Sequence, residues 1–104
     1  MMISAQQNHD NNLWRVNPAS SLLWKQFGEG RFIVFNKSSS QTHIVNALCV
    51  DALDLLQQLP LNLQKLAESL AQRNEFSLDE DWLTYINEML SDMDRLGLVE
   101  PVIL

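Results

Sequence analysis

QTHIVNALCVDALDLL, residues 41–56, decides the fold, because a β-branched run passes without a break into an apolar helix. Thr42, Ile44 and Val45 favour extended backbone. Asn46 offers a side-chain acceptor to the free amides of a first helical turn, which predicts a helix from Ala47. At 100° per residue Leu48, Ala52, Leu55, Leu56 and Leu59 share one side, widened by Cys49 and Leu53, while Asp51, Asp54, Gln57 and Gln58 hold the other. That is the pattern of a deeply buried helix. Cys49 reads as a small core residue, since no basic neighbour stands close in sequence to lower its pKa.

Upstream, LLWKQF (22–27) and RFIVFNK (31–37) are β-rich runs separated by Gly28, Glu29 and Gly30, which predicts a hairpin. Phe32, Ile33, Val34 and Phe35 are continuously apolar, as in a central strand with one face on a core and the other at least partly covered. KSSSQ (37–41) is a polar turn that returns the chain as a third strand, so the expected sheet is a three-stranded antiparallel meander. Pairing in chain order leaves residues 42–46 on an open edge, with a row of main-chain donors and acceptors that needs a cover or a partner. Further upstream, WRVNPASS (14–21) suits an extended arm or turn better than a regular element. The preceding residues, 1–13, are polar and aperiodic and read as a disordered leader; His9 falls there, without other ligands at a metal-binding spacing.

Downstream, Pro60 ends the first helix and Asn62 caps a second over LQKLAESLAQR (63–73), with Leu63, Leu66 and Leu70 on its apolar side. SLDE (77–80) has the form of a capping box, with Ser77 as N-cap and Glu80 three residues on. A third helix from Leu78 to about Leu96 follows and stops at Gly97. Its apolar residues Trp82, Leu83, Tyr85, Ile86, Met89, Leu90, Met93 and Leu96 span an arc of roughly 160°, against the stripe of about 100° that one core requires. Either the whole arc covers the sheet and first helix, or part of it serves a second surface. The tail LVEPVIL (98–104) is a short strand or strap, and Pro101 keeps it out of the middle of a sheet. The fold class is α+β, a winged-helix-like domain of a three-stranded meander followed by three helices, occupying residues 14–104.

The chemistry is bounded mainly by exclusion. The 104 residues suit a single core, and a formal net charge of −6 opposes binding to phosphate backbones or anionic lipid. Asp79, Glu80, Asp81, Glu88, Asp92 and Asp94 on or beside the third helix oppose groove binding, so neither nucleic acid nor membrane is an expected partner. The Asp79/Asp81 and Asp92/Asp94 pairs read as solvated helix surface. One cysteine, no signal-peptide pattern and no membrane-length apolar run point to the cytoplasm. None of the glycine-rich, nucleophile-elbow or metal-ligand motifs of enzymes occurs, so no catalytic residue, cofactor or metal is expected.

The run FNKSSSQTHIVNALCVDALDLLQQLPLNLQKLAESL (35–70), with DRLGLVEP (94–101) closing a long helix, resembles the PqqD-like peptide chaperones, also called RiPP recognition elements. Trp14-Arg15, Thr42-His43 after the serine-rich turn, and the ending from Leu96 to Pro101 resemble the branch associated with an HPr-kinase-related protein. QLPLNL (58–63) departs from the acidic-Gly-Thr turn of many such sequences. The resemblance implies a non-catalytic chaperone that holds a precursor peptide's leader as an added β-strand for an HPr-kinase-related or other modifying enzyme. Carried onto this chain, the peptide-binding residues are Thr42, His43, Ile44, Val45 and Asn46 on the edge strand and Trp82, Tyr85 and Met89 on the third helix. His43 is then either a solvent-facing residue of that edge or a hydrogen-bonding partner of the peptide or kinase. Two other readings stay open: a winged-helix regulator contacting DNA or protein, and a partner subunit that uses its edge strand to form a homodimer or to pair with an enzyme.

Overall fold

Residues 12–102 are described by a computed structural model. The stretch at 41–56 divides where expected. β4 (Gln41–Asn46) runs directly into α1 (Ala47–Gln58), and Asn46 Oδ1 accepts from the Cys49 amide at 2.9 Å. β4 is the last strand of an antiparallel meander, ordered β2-β3-β4, whose other members are β2 (Leu22–Gly28) and β3 (Arg31–Asn36). Gly30 sits in the β2–β3 turn at φ +67°, a conformation that costs a residue without a Cβ little. Between β3 and β4, buried Asn36 organises the serine turn, its Oδ1 accepting from the amides of Ser38 at 3.0 Å and Ser21 at 3.3 Å.

Register assigns the two faces of the meander. Trp24, Val34 and His43 lie on one cross-strand rung, and Val34 is fully buried, so this face looks onto the core. The next rung, Lys25, Ile33 and Ile44, looks outward together with Leu23, Phe35 and Thr42. On that outer face Leu23, Phe27 and Ile44 are exposed, and the Arg31 guanidinium lies over the Phe27 ring at 5.6 Å.

Two more helices complete the α layer. α2 (Leu63–Asn74) is capped by Asn62, which accepts from the Lys65 amide at 2.8 Å. α3 (Glu80–Arg95) is capped by Asp79 through the Trp82 amide at 2.9 Å, which corrects the expected Ser77 capping box. Asp79 has the extended backbone of an N-cap and an anionic acceptor at the positive end of the helix dipole. Beyond α3, Gly97 at φ +79° forms a Schellman stop, with the Leu98 amide donating to Met93 O at 2.9 Å and the Gly97 amide to Asp94 O at 3.0 Å.

A second small antiparallel sheet was not expected. β1 (Leu13–Val16) lies between β5 (Leu61–Asn62) and β6 (Val99–Pro101). Residues 14–16 are therefore a central strand rather than an arm or turn, and Leu13 belongs to it rather than to the leader. Residues 1–11, which hold most of the expected leader and His9, lie outside the described residues. Trp14 accounts for the central place of β1: at 2% exposure it is one of the largest wholly buried side chains, and the backbone beside it needs ladder partners from both sides. β6 is an edge strand, as Pro101 requires, and its Glu100 takes bonds from Arg15 Nε at 2.9 Å and a guanidinium terminus at 2.6 Å.

The core joins Trp14 and Val34 to Ala52, Leu53 and Leu56 of α1, Leu66 and Leu70 of α2, and Ile86, Leu90 and Met93 of α3. The face of α1 is turned relative to expectation, with Val50 buried and Leu59 at 55% exposure. Leu59 ends the helix with an extended backbone that leads into β5, so helical periodicity no longer governs its direction. Among the described residues no helix is long and apolar enough to cross a membrane.

Candidate functional site

β4 pairs with β3 along its whole length and has no second neighbour among the described residues, so one side of its main chain is open. Alternation then sorts its side chains. Ile44 stands 72% exposed at the edge, whereas His43 and Val45 turn toward the α layer and are half-buried. Along that open side runs α3, which presents Tyr85, Glu88, Met89, Asp92, Met93 and Leu96 as one stripe at helical spacing. Edge and stripe enclose a cleft of about 310 Å³ that also takes in Asn46 and Cys49.

Helix α3 does carry more apolar surface than its core uses. Ile86, Met89, Leu90 and Met93 are buried, while Tyr85 and Leu96 remain 44% and 40% exposed along the cleft. Five of the eight expected site residues meet here: Ile44, Val45, Asn46, Tyr85 and Met89. The other three do not line this cleft. Thr42 is exposed on the outer face of the meander, on the rung of Leu23 and Phe35.

Trp82 lies one turn before Tyr85 on the same helix, yet its indole is held away from β4. Its Nε1 donates to Ala67 O of α2 at 2.9 Å, since a part-buried indole N–H needs an acceptor and the α2 carbonyl supplies one. It stacks on Tyr85, at 6.0 Å between ring centroids, and meets a tilted Phe76 ring at 5.0 Å. These rings border a separate cleft of about 290 Å³ with Ser77, Asp79 and Asp81.

His43 is neither a solvent-facing residue nor part of the cleft lining. It points to the inner face, where its Nε2 is buried without a hydrogen-bond partner among the described residues. A larger cleft, about 580 Å³ between the starts of α2 and α3, is lined mainly by polar side chains such as Asn62, Gln64, Glu80, Asp81 and Asn87, and the strand it meets, at Asn62, is the two-residue edge strand β5.

Cys49, Glu88, Asp92, Met93 and Leu96 also line the β4–α3 cleft, although sequence reasoning did not place them there. The signal for four of them was present, because residues 85, 88, 89, 92, 93 and 96 follow the three-four spacing of a single helix face. Cys49 packs against the core as expected and, being half-buried, also lines the cleft. Burial pushes its thiol above the ordinary value; the backbone hydrogen bond at Asn46 opposes the shift and the Asp92 carboxylate adds to it. The thiol is therefore protonated at neutral pH and poorly nucleophilic. Among the described residues no group of three or more His, Cys, Asp and Glu is placed to hold a metal.

What this arrangement can do chemically is accept an extended chain: main-chain hydrogen bonds along β4, and alternate side chains directed into the cleft. No family model matches the chain, and neither a curated protein nor a solved structure matches it.

Proposed function

We propose that this chain is a peptide-binding module of the PqqD-like, winged-helix type, holding an extended segment of another polypeptide as a fourth strand beside β4. The observation that carries the reading is the coincidence of an unpaired strand edge with an apolar cleft floored by Met89 and Met93. Either feature alone is common on protein surfaces; together they supply the two requirements of strand addition, backbone partners and side-chain pockets. Methionine suits such a floor because its unbranched thioether adapts to different occupants.

In this reading the meander serves as the wing and α3 as the second wall of the site. The module presents its peptide to a modifying enzyme, of HPr-kinase-related or other type, and does no chemistry itself. Asn46 works by fixing where the edge ends and α1 begins, since its side chain is already committed to the Cys49 amide. The acidic character of α3 disfavours the DNA-regulator alternative.

The test is titration of the isotopically labelled chain with the leader segment of a short peptide encoded beside its gene. Amides of β4 and those of Tyr85 and Met89 shift together if the reading is right. Shifts confined to the outer face of the meander or to the Phe76–Trp82 cleft refute it.

A further inference from the structure

The cleft is apolar at its floor but charged along one wall. Glu88 and Asp92 lie four residues apart on α3 and flank Met89, and the lining contains no Lys, Arg or His. β4 contributes no formal charge of its own, with the sequence QTHIVN and His43 turned away from the cleft. The nearest compensation in sequence is Arg95, which pairs with Asp92 from an exposed position; Glu88 has no ion pair among the described residues. The wall therefore presents net negative charge to whatever lies against β4. An occupying strand bonded to β4 would direct every second side chain toward this wall.

We infer that the natural occupant of the β4–α3 cleft is a cationic extended segment, with Lys or Arg at a cleft-facing position opposite Glu88 and Asp92 and apolar residues at the neighbouring cleft-facing positions. The inference rests on the strand-addition reading above and narrows it to a class of ligand. A long aliphatic stem matches the geometry, because it can lie on Met89 and Tyr85 while its charged head reaches the carboxylates at the rim. A second copy of the chain fits less well, since its own edge strand brings no cation to the wall. An acidic segment meets like charge on both carboxylates.

The experiment uses a phage-displayed library of random ten-residue peptides selected on the full chain, followed by synthesis of the enriched sequences. Binding is read at low and high salt, and the site is located by the amide shifts of the labelled protein. Enriched peptides should carry Lys or Arg at one fixed position flanked at every second residue by apolar side chains. Replacing that residue with Glu should weaken binding roughly fivefold or more at low salt, with the difference shrinking at high salt. The double variant Glu88→Lys, Asp92→Lys should reverse the preference, and the milder Glu88→Gln, Asp92→Asn pair should abolish it. Both positions are exposed, and a thermal melt checks that each variant is folded.

Peptides that shift the β4 amides yet bind equally well with Lys or Glu overturn the inference and leave the strand-addition reading standing. Persistence of the Lys preference in the charge-reversed variant has the same force. If no enriched peptide shifts the amides of residues 41–46, the strand-addition reading itself fails, and the inference with it.

Discussion

Trp14→Ala probes how far the second sheet is part of the fold. Trp14 is 2% exposed and belongs to the same buried cluster as Leu53, Leu66 and Leu90, so truncation removes a bicyclic side chain from a packed interior. Large-to-small changes of this kind cost about 3–5 kcal/mol, the sum of lost transfer energy and the cavity left behind. At roughly 0.05–0.15 kcal/mol per residue, residues 12–102 have a stability of about 5–14 kcal/mol, so the change removes between about a fifth and all of it. For a domain of this size each kcal/mol moves the melting midpoint by about 4–8 °C, which predicts a fall of at least about 12 °C. The assay is urea and thermal unfolding followed by far-ultraviolet circular dichroism, which does not depend on the tryptophan removed. Leu23→Ala, on the exposed outer face, is the control and should change stability by no more than about 0.5 kcal/mol. A loss below about 1 kcal/mol for Trp14→Ala, at unchanged denaturant slope, refutes the placement of β1 in the core.

Three further expectations concern the elements that frame the cleft. Asn46→Ala removes the cap of α1 and should cost about 1 kcal/mol in the urea midpoint, while Asn46→Asp keeps the acceptor and should recover most of it. Gly97→Ala should cost about 1–2 kcal/mol, entirely from the φ of +79°, because no atom lies within 4 Å of an added Cβ. The folded Cys49 thiol holds its proton to higher pH than the unfolded one. Its contribution to stability is therefore fully present below the ordinary thiol pKa of about 8.5 and declines as the pH rises above it. Unfolding free energies measured from neutral pH upward should show this decline in the native chain, and Cys49→Ser should flatten that part of the profile.

Much of the architecture was written locally. Gly28 and Gly30 around Glu29, the serine turn, and Asn46 and Asn62 as caps each act over a few residues, and each could be read from neighbours alone. Trp14 could not, because its partners lie at residues 61 and 101, far along the chain, and a four-residue strand has too short a period to announce itself. Asp79 displaced Ser77 as the cap of α3 because both sites offered a suitable oxygen and only the backbone path chooses between them. At the cleft, the stripe through Tyr85 and Met89 followed from helical spacing. The exclusion of Trp82 from that cleft did not, since it depends on a carbonyl of α2 that only the tertiary fold brings within reach. His43 shows the same limit, its direction being fixed by register with Val34.

The strand at Leu13–Val16 also bears on how the chain reaches its native state. Arg15 and its partner Glu100 are 85 residues apart, and β5 alone gives β1 only a two-residue ladder. A chain made at about 5–20 residues per second therefore carries Trp14 for roughly 4–17 s before the ladder with β6 can form. During that interval a bulky indole and an incompletely paired strand are free to associate with other nascent chains. Loop closure on this scale delays folding more than it weakens the finished structure. Synthesis rate and early chaperone engagement, rather than native stability, should then govern how much of this protein matures.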